Sequence, residues 1–121
     1  MKNTEFSFKE VDNEGIETLS VLAHADKLNT WFYDTIKPFC SGKILEIGSG
    51  IGNISQFFIQ NKNDIALSDL RANYLESLTE RFPDFNKSNF HQLDLVDSDF
   101  DLRHKDKFNS FDTIFALNVV E

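Results

Sequence analysis

The sequence predicts an α/β protein in which a parallel β-sheet carries helices on both faces. Short apolar segments rich in branched residues alternate with segments whose apolar residues recur every three or four positions. This alternation is typical of strands joined by crossover helices. The proposed strands are apolar almost throughout, as expected when a parallel sheet is buried on both sides.

The N-terminal third predicts a helical segment that precedes the sheet. From Glu14 onwards, apolar residues at helical spacing indicate one or two amphipathic helices. Pro38 and the pair Ser41-Gly42 then interrupt the pattern. We therefore divide the chain into an N-terminal helical segment, residues 1–41, and a sheet domain, residues 42–121.

Four strands are predicted in the sheet domain, over residues 43–47, 64–69, 89–95 and 111–120. A helix that begins near Asn53 joins the first two strands, and a helix over residues 71–82 joins the next two. A polar connection, with at most one short helix, leads to the fourth strand. An apolar strand left at a sheet edge favours association with another chain. We therefore expect self-association through this edge, and we expect the chain to be the first part of a larger domain.

The composition indicates one globular domain of 121 residues with a net charge of -8. Only 12 basic residues stand against 20 acidic ones, and nucleic-acid binding relies on Lys and Arg contacts with phosphates. Direct nucleic-acid binding is therefore not expected. No apolar run is long enough to cross a membrane. The absence of a signal sequence and the single Cys40 favour a cytoplasmic protein.

Acidic residues stand at or near the ends of three predicted strands: Glu46, Asp69 and Asp94. Glycines at alternate positions follow the first of them, at Gly48, Gly50 and Gly52. Ligands of open parallel sheets bind beyond the carboxyl ends of the strands. Glycine allows a ligand to approach the backbone closely. We therefore expect the three carboxylates and the glycine loop to surround one ligand.

Two cofactor classes suit such a loop. Dinucleotides favour G-x-G-x-x-G or G-x-G-x-x-A, but Asn53 occupies the last position here, so the fit is poor. S-adenosylmethionine offers a carboxylate to backbone amides and two positive groups to an acidic neighbourhood. Its ribose hydroxyls and adenine amino group can donate to carboxylates that follow the second and third strands.

Four segments resemble motifs of the class I S-adenosylmethionine-dependent methyltransferases. They are KILEIGSGIGNIS, LSDLRANYLESL, FHQLDL and FDTIFALNVVE, which occur in the family's order within residues 31–121. The resemblance implies a Rossmann-like fold, incomplete here because the family has further strands. It also implies methyl transfer from the sulfonium to an acceptor, which we expect to be a small molecule.

The resemblance also implies site residues. The methionine part would be held, largely through main chain, by Glu46, Gly48, Ser49, Gly50 and Gly52. Asp69 would bind the ribose hydroxyls and Leu70 would line the adenine. Asp94 would meet the adenine amino group, and the Leu95 amide would meet the ring. Leu117 and Asn118 would lie beside the sulfonium. Trp31 and Tyr33 either cover the methionine end or serve only in packing.

No metal site and no catalytic base are predicted. The three histidines lack metal-ligand spacing. The acidic segment that begins at Asp97 lacks the glycine and the glutamate of a calcium loop. Two alternatives stay open, namely an NAD(P)-binding oxidoreductase domain and a non-catalytic module that binds S-adenosylmethionine.

Overall fold

The computed structural model describes residues 26–107 and 109–117. Its helices and strands are α1 (Asp26–Ile36), β1 (Ile44–Ile47), α2 (Ser55–Gln60), β2 (Ile65–Asp69), α3 (Ala72–Arg81), β3 (Phe90–Gln92), α4 (Phe100–Arg103) and β4 (Thr113–Ala116). Short 3-10 turns follow α1 and precede β3 and β4. The described part of the predicted N-terminal helical segment is helical in α1, and the part of it that precedes residue 26 lies outside the described residues.

The sheet is parallel throughout, in the order β3-β2-β1-β4. The strand order reverses between β1 and β4, because β4 pairs with the opposite side of β1 from β2. Ligands of this class of sheet bind at such a reversal, outside the carboxyl ends of the strands. The predicted α/β class with a parallel, Rossmann-like sheet is thus confirmed, and four strands are present in the described part of the chain.

The third strand is shorter than the prediction of residues 89–95. The N–H of Leu93 still donates to the Asp69 carbonyl oxygen at 3.1 Å, but the ladder of β3 has ended at Gln92. One residue later, the Asp94 side chain accepts the N–H of Val96 at 3.1 Å. A side-chain acceptor for a backbone N–H two residues ahead favours a turn, so the chain leaves the sheet here.

One face of the sheet, called the helix-covered face below, packs against α2 and α3. Ile44 of β1 and Leu67 of β2 are completely buried, together with Phe58 of α2 and Leu78 of α3. The two helices can cover this face because their apolar residues recur at helical spacing and form one side of each helix. Tyr33 and other residues of α1 and the turn after it pack against the same cluster.

The opposite face, called the open face, has a smaller core. Leu45, Ala66 and Leu93 are buried there, with Phe100 and Phe111 packed against them. The helix on this face, α4, has only four residues. The side chain of Ile114 on β4 remains 62% exposed. Among the described residues, the prediction of helices on both faces is therefore met by α1, α2 and α3 on one side and by the single short helix α4 on the other.

None of the helices in residues 26–107 and 109–117 is long and apolar enough to cross a membrane.

Candidate cofactor-binding site

Glu46 lies on the helix-covered face near the end of β1, opposite Leu67 and Phe115 in the strand register. Its side chain is buried, and the Ser55 hydroxyl of α2 donates to its Oε1 atom. Burial raises the pKa of Glu46 to about 7, from an ordinary value of 4.5, and the charge of Asp69 adds to the increase. The hydroxyls of Ser55 and Ser49 act in the opposite direction. The site therefore contains a buried carboxyl group that is half ionised near neutral pH.

The first half of the glycine loop is attached to β2. The N–H of Ser49 donates to the Ser68 carbonyl oxygen at 2.8 Å, and the N–H of Ser68 donates to Ser49 Oγ at 3.1 Å. The Ser68 hydroxyl in turn donates to the Glu46 carbonyl oxygen at 2.6 Å. These three bonds hold the loop against the end of the neighbouring strand.

Asp69, the last residue of β2, joins the loop to the start of α3. Its Oδ2 accepts the N–H of Gly50 at 2.9 Å, and its Oδ1 accepts the N–H of Arg71 at 3.1 Å. A carboxylate offers roughly four acceptor positions, two on each oxygen. Each Asp69 oxygen therefore retains the capacity to accept one further hydrogen bond, which is what a pair of ribose hydroxyls requires.

The second half of the loop packs against the end of α3. Gly48, Gly50 and Gly52 all have positive φ angles, of 72°, 59° and 88°. A Cβ atom on Gly52 would lie 2.5 Å from Cε2 of Phe82, well inside van der Waals contact. Gly52 is thus required by the close approach of the loop to α3, in addition to its backbone conformation.

Arg81 is a residue of this site that sequence reasoning missed. It ends α3, and its guanidinium donates to the Ile51 carbonyl oxygen at 2.8 Å and to Asn53 Oδ1 at 3.1 Å. A basic residue in the last turn of a helix is common, because it complements the helix dipole. The sequence therefore carries no signal that sets Arg81 apart.

The candidate adenine residues lie after β2 and β3. The Gln92 side chain donates to the Leu70 carbonyl oxygen at 2.9 Å and so links the ends of the two strands. Asp94 is half-buried and uses its Oδ1 atom in the turn described above. Leu95 is 58% exposed. These residues share one edge of the sheet with Asp69, and their contact with an adenine ring stays a prediction.

The remaining candidates differ in what surrounds them. Leu117 directly follows β4 and is half-buried, whereas Asn118 lies outside the described residues. Tyr33 stacks on Phe57 with ring centroids 5.0 Å apart, and its hydroxyl accepts a hydrogen bond from Asn61 beyond the C-terminal end of α2. The glycine loop precedes the other end of α2. These contacts give Tyr33 a packing role, and its contact with the methionine end of a cofactor stays a prediction.

Trp31 is 59% exposed and contacts Phe32 edge to face, with ring centroids 5.2 Å apart.

No group of three or more metal-ligating side chains occurs within the part of the chain that the structure describes.

Comparison with known proteins points to one family. The chain is similar to "Ribosomal RNA small subunit methyltransferase A" of Parabacteroides distasonis, with 33% identity over 66 residues. The similarity covers 51% of this chain and 25% of that protein, so the chain spans only about a quarter of this relative's length. No solved structure matches the sequence significantly. A family model described as a methyltransferase domain matches residues 45–121, which is more than half of the chain. With its parallel α/β sheet, the chain therefore belongs to the class I S-adenosylmethionine-dependent methyltransferases.

Proposed function

We propose that this chain is the cofactor-binding part of a methyltransferase that moves the sulfonium methyl group of S-adenosylmethionine to an acceptor. The observation that carries the proposal is the hydrogen bond of 2.9 Å between Gly50 N–H and Asp69 Oδ2. It brings the glycine loop, which suits an amino-acid tail, against the carboxylate that suits a ribose. Family membership of the chain supports the same assignment.

The donors and acceptors of the site fit the proposed cofactor. Asp69 retains acceptor capacity for two ribose hydroxyls, as its oxygens each accept one backbone N–H. Glu46 is a buried carboxyl group that forms no ion pair with any described residue. An ammonium group near it would supply the missing positive partner, because an adjacent cation favours the ionised form of a carboxyl group.

When bound, the cofactor would supply a methyl group already activated by a positively charged sulfur, so the chain needs no strong nucleophile of its own. The task of Asp69 and the glycine loop is to fix the adenosyl and amino-acid parts, which leaves the methyl group in one orientation for in-line attack. Glu46 and Asp69 would place negative charge near the positive groups, and Asp94 would accept a hydrogen bond from the adenine amino group. We propose further that Leu70 and Leu95 border the adenine and that Leu117 and Asn118 border the sulfonium. No described residue is assigned as a general base.

Ligand titration with a variant at Asp69 tests the proposal. S-adenosylhomocysteine should bind the wild-type chain, and NAD should bind much more weakly. Asp69→Ala removes two hydrogen bonds to a charged acceptor and should lower the affinity for S-adenosylhomocysteine about 100-fold. Isothermal titration calorimetry measures both effects.

The exposed Asp84 offers a matched control, since Asp84→Ala removes the same group outside the site and should leave the affinity unchanged. Tight NAD binding without any response to S-adenosylhomocysteine would favour the oxidoreductase alternative. Unchanged affinity in Asp69→Ala would remove Asp69 from the site.

For the acceptor we propose a small molecule, because the chain carries a net charge of -8 and its basic residues form no tract. RNA is a second candidate, and the similarity to a ribosomal RNA methyltransferase favours it. Transfer of a tritiated methyl group from the cofactor distinguishes the two. Label in the RNA fraction of a cell extract, abolished by ribonuclease, would reject the small-molecule acceptor.

We also propose that the chain acts in the cytoplasm and associates with a second copy through β4. In the described part of the sheet β4 pairs only with β1, so its other edge is available for pairing. Sedimentation velocity at rising concentration tests this association. A sedimentation coefficient that stays at the monomer value would reject it.

A further inference from the structure

Arg81 holds the second half of the glycine loop from outside the loop. Its Nη1 donates to the Ile51 carbonyl oxygen at 2.8 Å and to Asn53 Oδ1 at 3.1 Å. Its Nη2 donates to Gln56 Oε1 at 3.2 Å. One planar guanidinium therefore reaches three acceptors in the loop and in the first turn of α2, a geometry that the single ammonium group of Lys cannot reproduce.

The guanidinium has no acidic partner in the described part of the chain, where all three of its acceptors are neutral. Burial lowers the pKa of Arg81, and its Cζ atom lies 5.6 Å from the centre of the Phe82 ring. The same ring occupies the space that a Cβ atom on Gly52 would need. The contacts of Arg81 thus go to the loop and to the ring that supports the loop.

Asp69 and Arg81 anchor the peptide groups immediately before and after the Gly50–Ile51 peptide. The N–H of Gly50 donates to Asp69, and the carbonyl oxygen of Ile51 accepts from Arg81. The peptide between these two points carries the N–H of Ile51, which donates to no acceptor among the described residues. Because the peptide group is planar and its two neighbours are anchored, this N–H can change direction only through a coupled rotation of ψ at Gly50 and φ at Ile51.

We propose that Arg81 is a positioning residue, which keeps the Ile51 N–H available for the anionic carboxylate of the cofactor's amino-acid tail. The inference rests on the function proposed above. Arg81 acts through the loop and contacts neither the cofactor nor the acceptor. Its loss should therefore weaken the binding of ligands that have the tail and leave the binding of ligands that lack it nearly unchanged.

Two ligands separate this role from a general contribution to folding. S-adenosylhomocysteine carries the amino-acid tail, whereas 5′-methylthioadenosine has the same nucleoside without it. Arg81→Met should weaken binding of the first ligand about tenfold and of the second less than about twofold. Arg81→Lys should restore part of the loss, since an ammonium group can still donate to the loop. Isothermal titration calorimetry with both ligands gives the ratio of the two affinities directly.

Arg103 provides a matched control. Its exposed side chain pairs with Asp97 at 2.8 Å, far along the chain from the loop. Arg103→Met and Arg103→Lys should leave the affinities for both ligands unchanged. Thermal unfolding of each variant shows whether it is folded under the conditions of the titration.

Equal weakening of both ligands by Arg81→Met would overturn the positioning role, as would unchanged affinity for S-adenosylhomocysteine. If Arg81→Met does not fold, the ratio of the two affinities in Arg81→Lys decides in the same way. A wild-type chain that binds neither ligand would overturn the proposed function itself, and this result is visible before any variant is compared.

Discussion

The two faces of the sheet differ in how completely they are covered. On the helix-covered face, Phe58 and Leu67 are buried to within 1% of full burial between β1, β2 and the helices α2 and α3. On the open face, a four-residue helix covers part of the core, and Ile114 remains 62% exposed. The polar groups of the candidate site are not distributed evenly between these faces.

Glu46 shares the helix-covered face with the core, and its hydroxyl donor Ser55 is completely buried in α2. The glycine loop lies at the same end of the sheet, between β1 and α2. The tightly packed face thus also supports the candidate site, since close packing fixes polar groups as well as apolar ones. The two faces should therefore differ in their contribution to stability and in their response to pH.

The largest difference is expected from matched truncations on the two faces. Phe58→Ala should lower the free energy of unfolding by about 3–5 kcal/mol, because it leaves a cavity among Tyr33, Phe115 and the core. Ile114→Ala should change it by less than about 0.5 kcal/mol, since the side chain is largely exposed. Urea unfolding followed by circular dichroism measures both. If Phe58→Ala does not fold, Phe58→Leu should show a smaller loss in the same direction.

Similar losses for the Phe58 and Ile114 variants would show that both faces are equally covered in solution.

A second difference is expected at Glu46, on the helix-covered face. The pKa in the folded state is about 7, above the ordinary value of 4.5, so the folded state binds more protons between these values. The free energy of unfolding should therefore fall as pH rises from about 4.5 to about 7 and then become constant. Glu46→Gln keeps the shape of the protonated side chain. It should be more stable than the wild type at pH 8 by up to about 3 kcal/mol.

The same variant should bind S-adenosylhomocysteine about tenfold more weakly at pH 8, because it lacks the negative charge that would face the ammonium group. Unfolding and titration at pH 5 serve as the internal control, since there the wild-type carboxyl group is mostly protonated as well. A Glu46→Gln variant less stable than the wild type at pH 8 would contradict the burial of this group.

The smallest effect is expected at His91, on β3. Burial lowers its pKa below the ordinary value, and the charge of Lys107 acts in the same direction. The charge of Asp106 opposes this shift, and the smaller effects of His104 and Lys43 add to it. A histidine with a lowered pKa contributes stability above its unfolded pKa, and this contribution is lost as pH falls through the folded value. The wild type should therefore lose more stability than His91→Gln between pH 7 and pH 5.

Thermal unfolding across that range measures the effect, and the two proteins should show the same pH dependence above pH 8. An identical loss of stability on acidification would mean that the His91 imidazole stays solvated in the folded protein.

Much of the fold was predictable because its signals are local. The branched apolar residues of β1 and β2, the helical spacing in α3 and the alternate glycines each specify their conformation within a short segment. The order of strands and helices then fixes a parallel sheet, and the ends of parallel strands share one edge. This is why the sequence alone assigns Glu46 and Asp69 to the same end of the sheet.

Other features depend on contacts between segments far apart in the chain. The sequence left open whether Tyr33 covers a cofactor or packs, and it does not show that the ring stacks on Phe57 with centroids 5.0 Å apart. The spacing of the glycines identifies Gly52, but only the structure shows that the Phe82 ring occupies the space that a Gly52 side chain would need.

By itself, the sequence determined the element order, the glycine loop and the acidic strand ends, because these follow from residue type and short-range spacing. Only the tertiary structure decided that Arg81 holds Ile51, 30 residues away, and that one face of the sheet is better covered than the other. The physical reason is that a local pattern specifies which residues avoid water. The partner of each buried polar group depends on how helices and loops pack against one another.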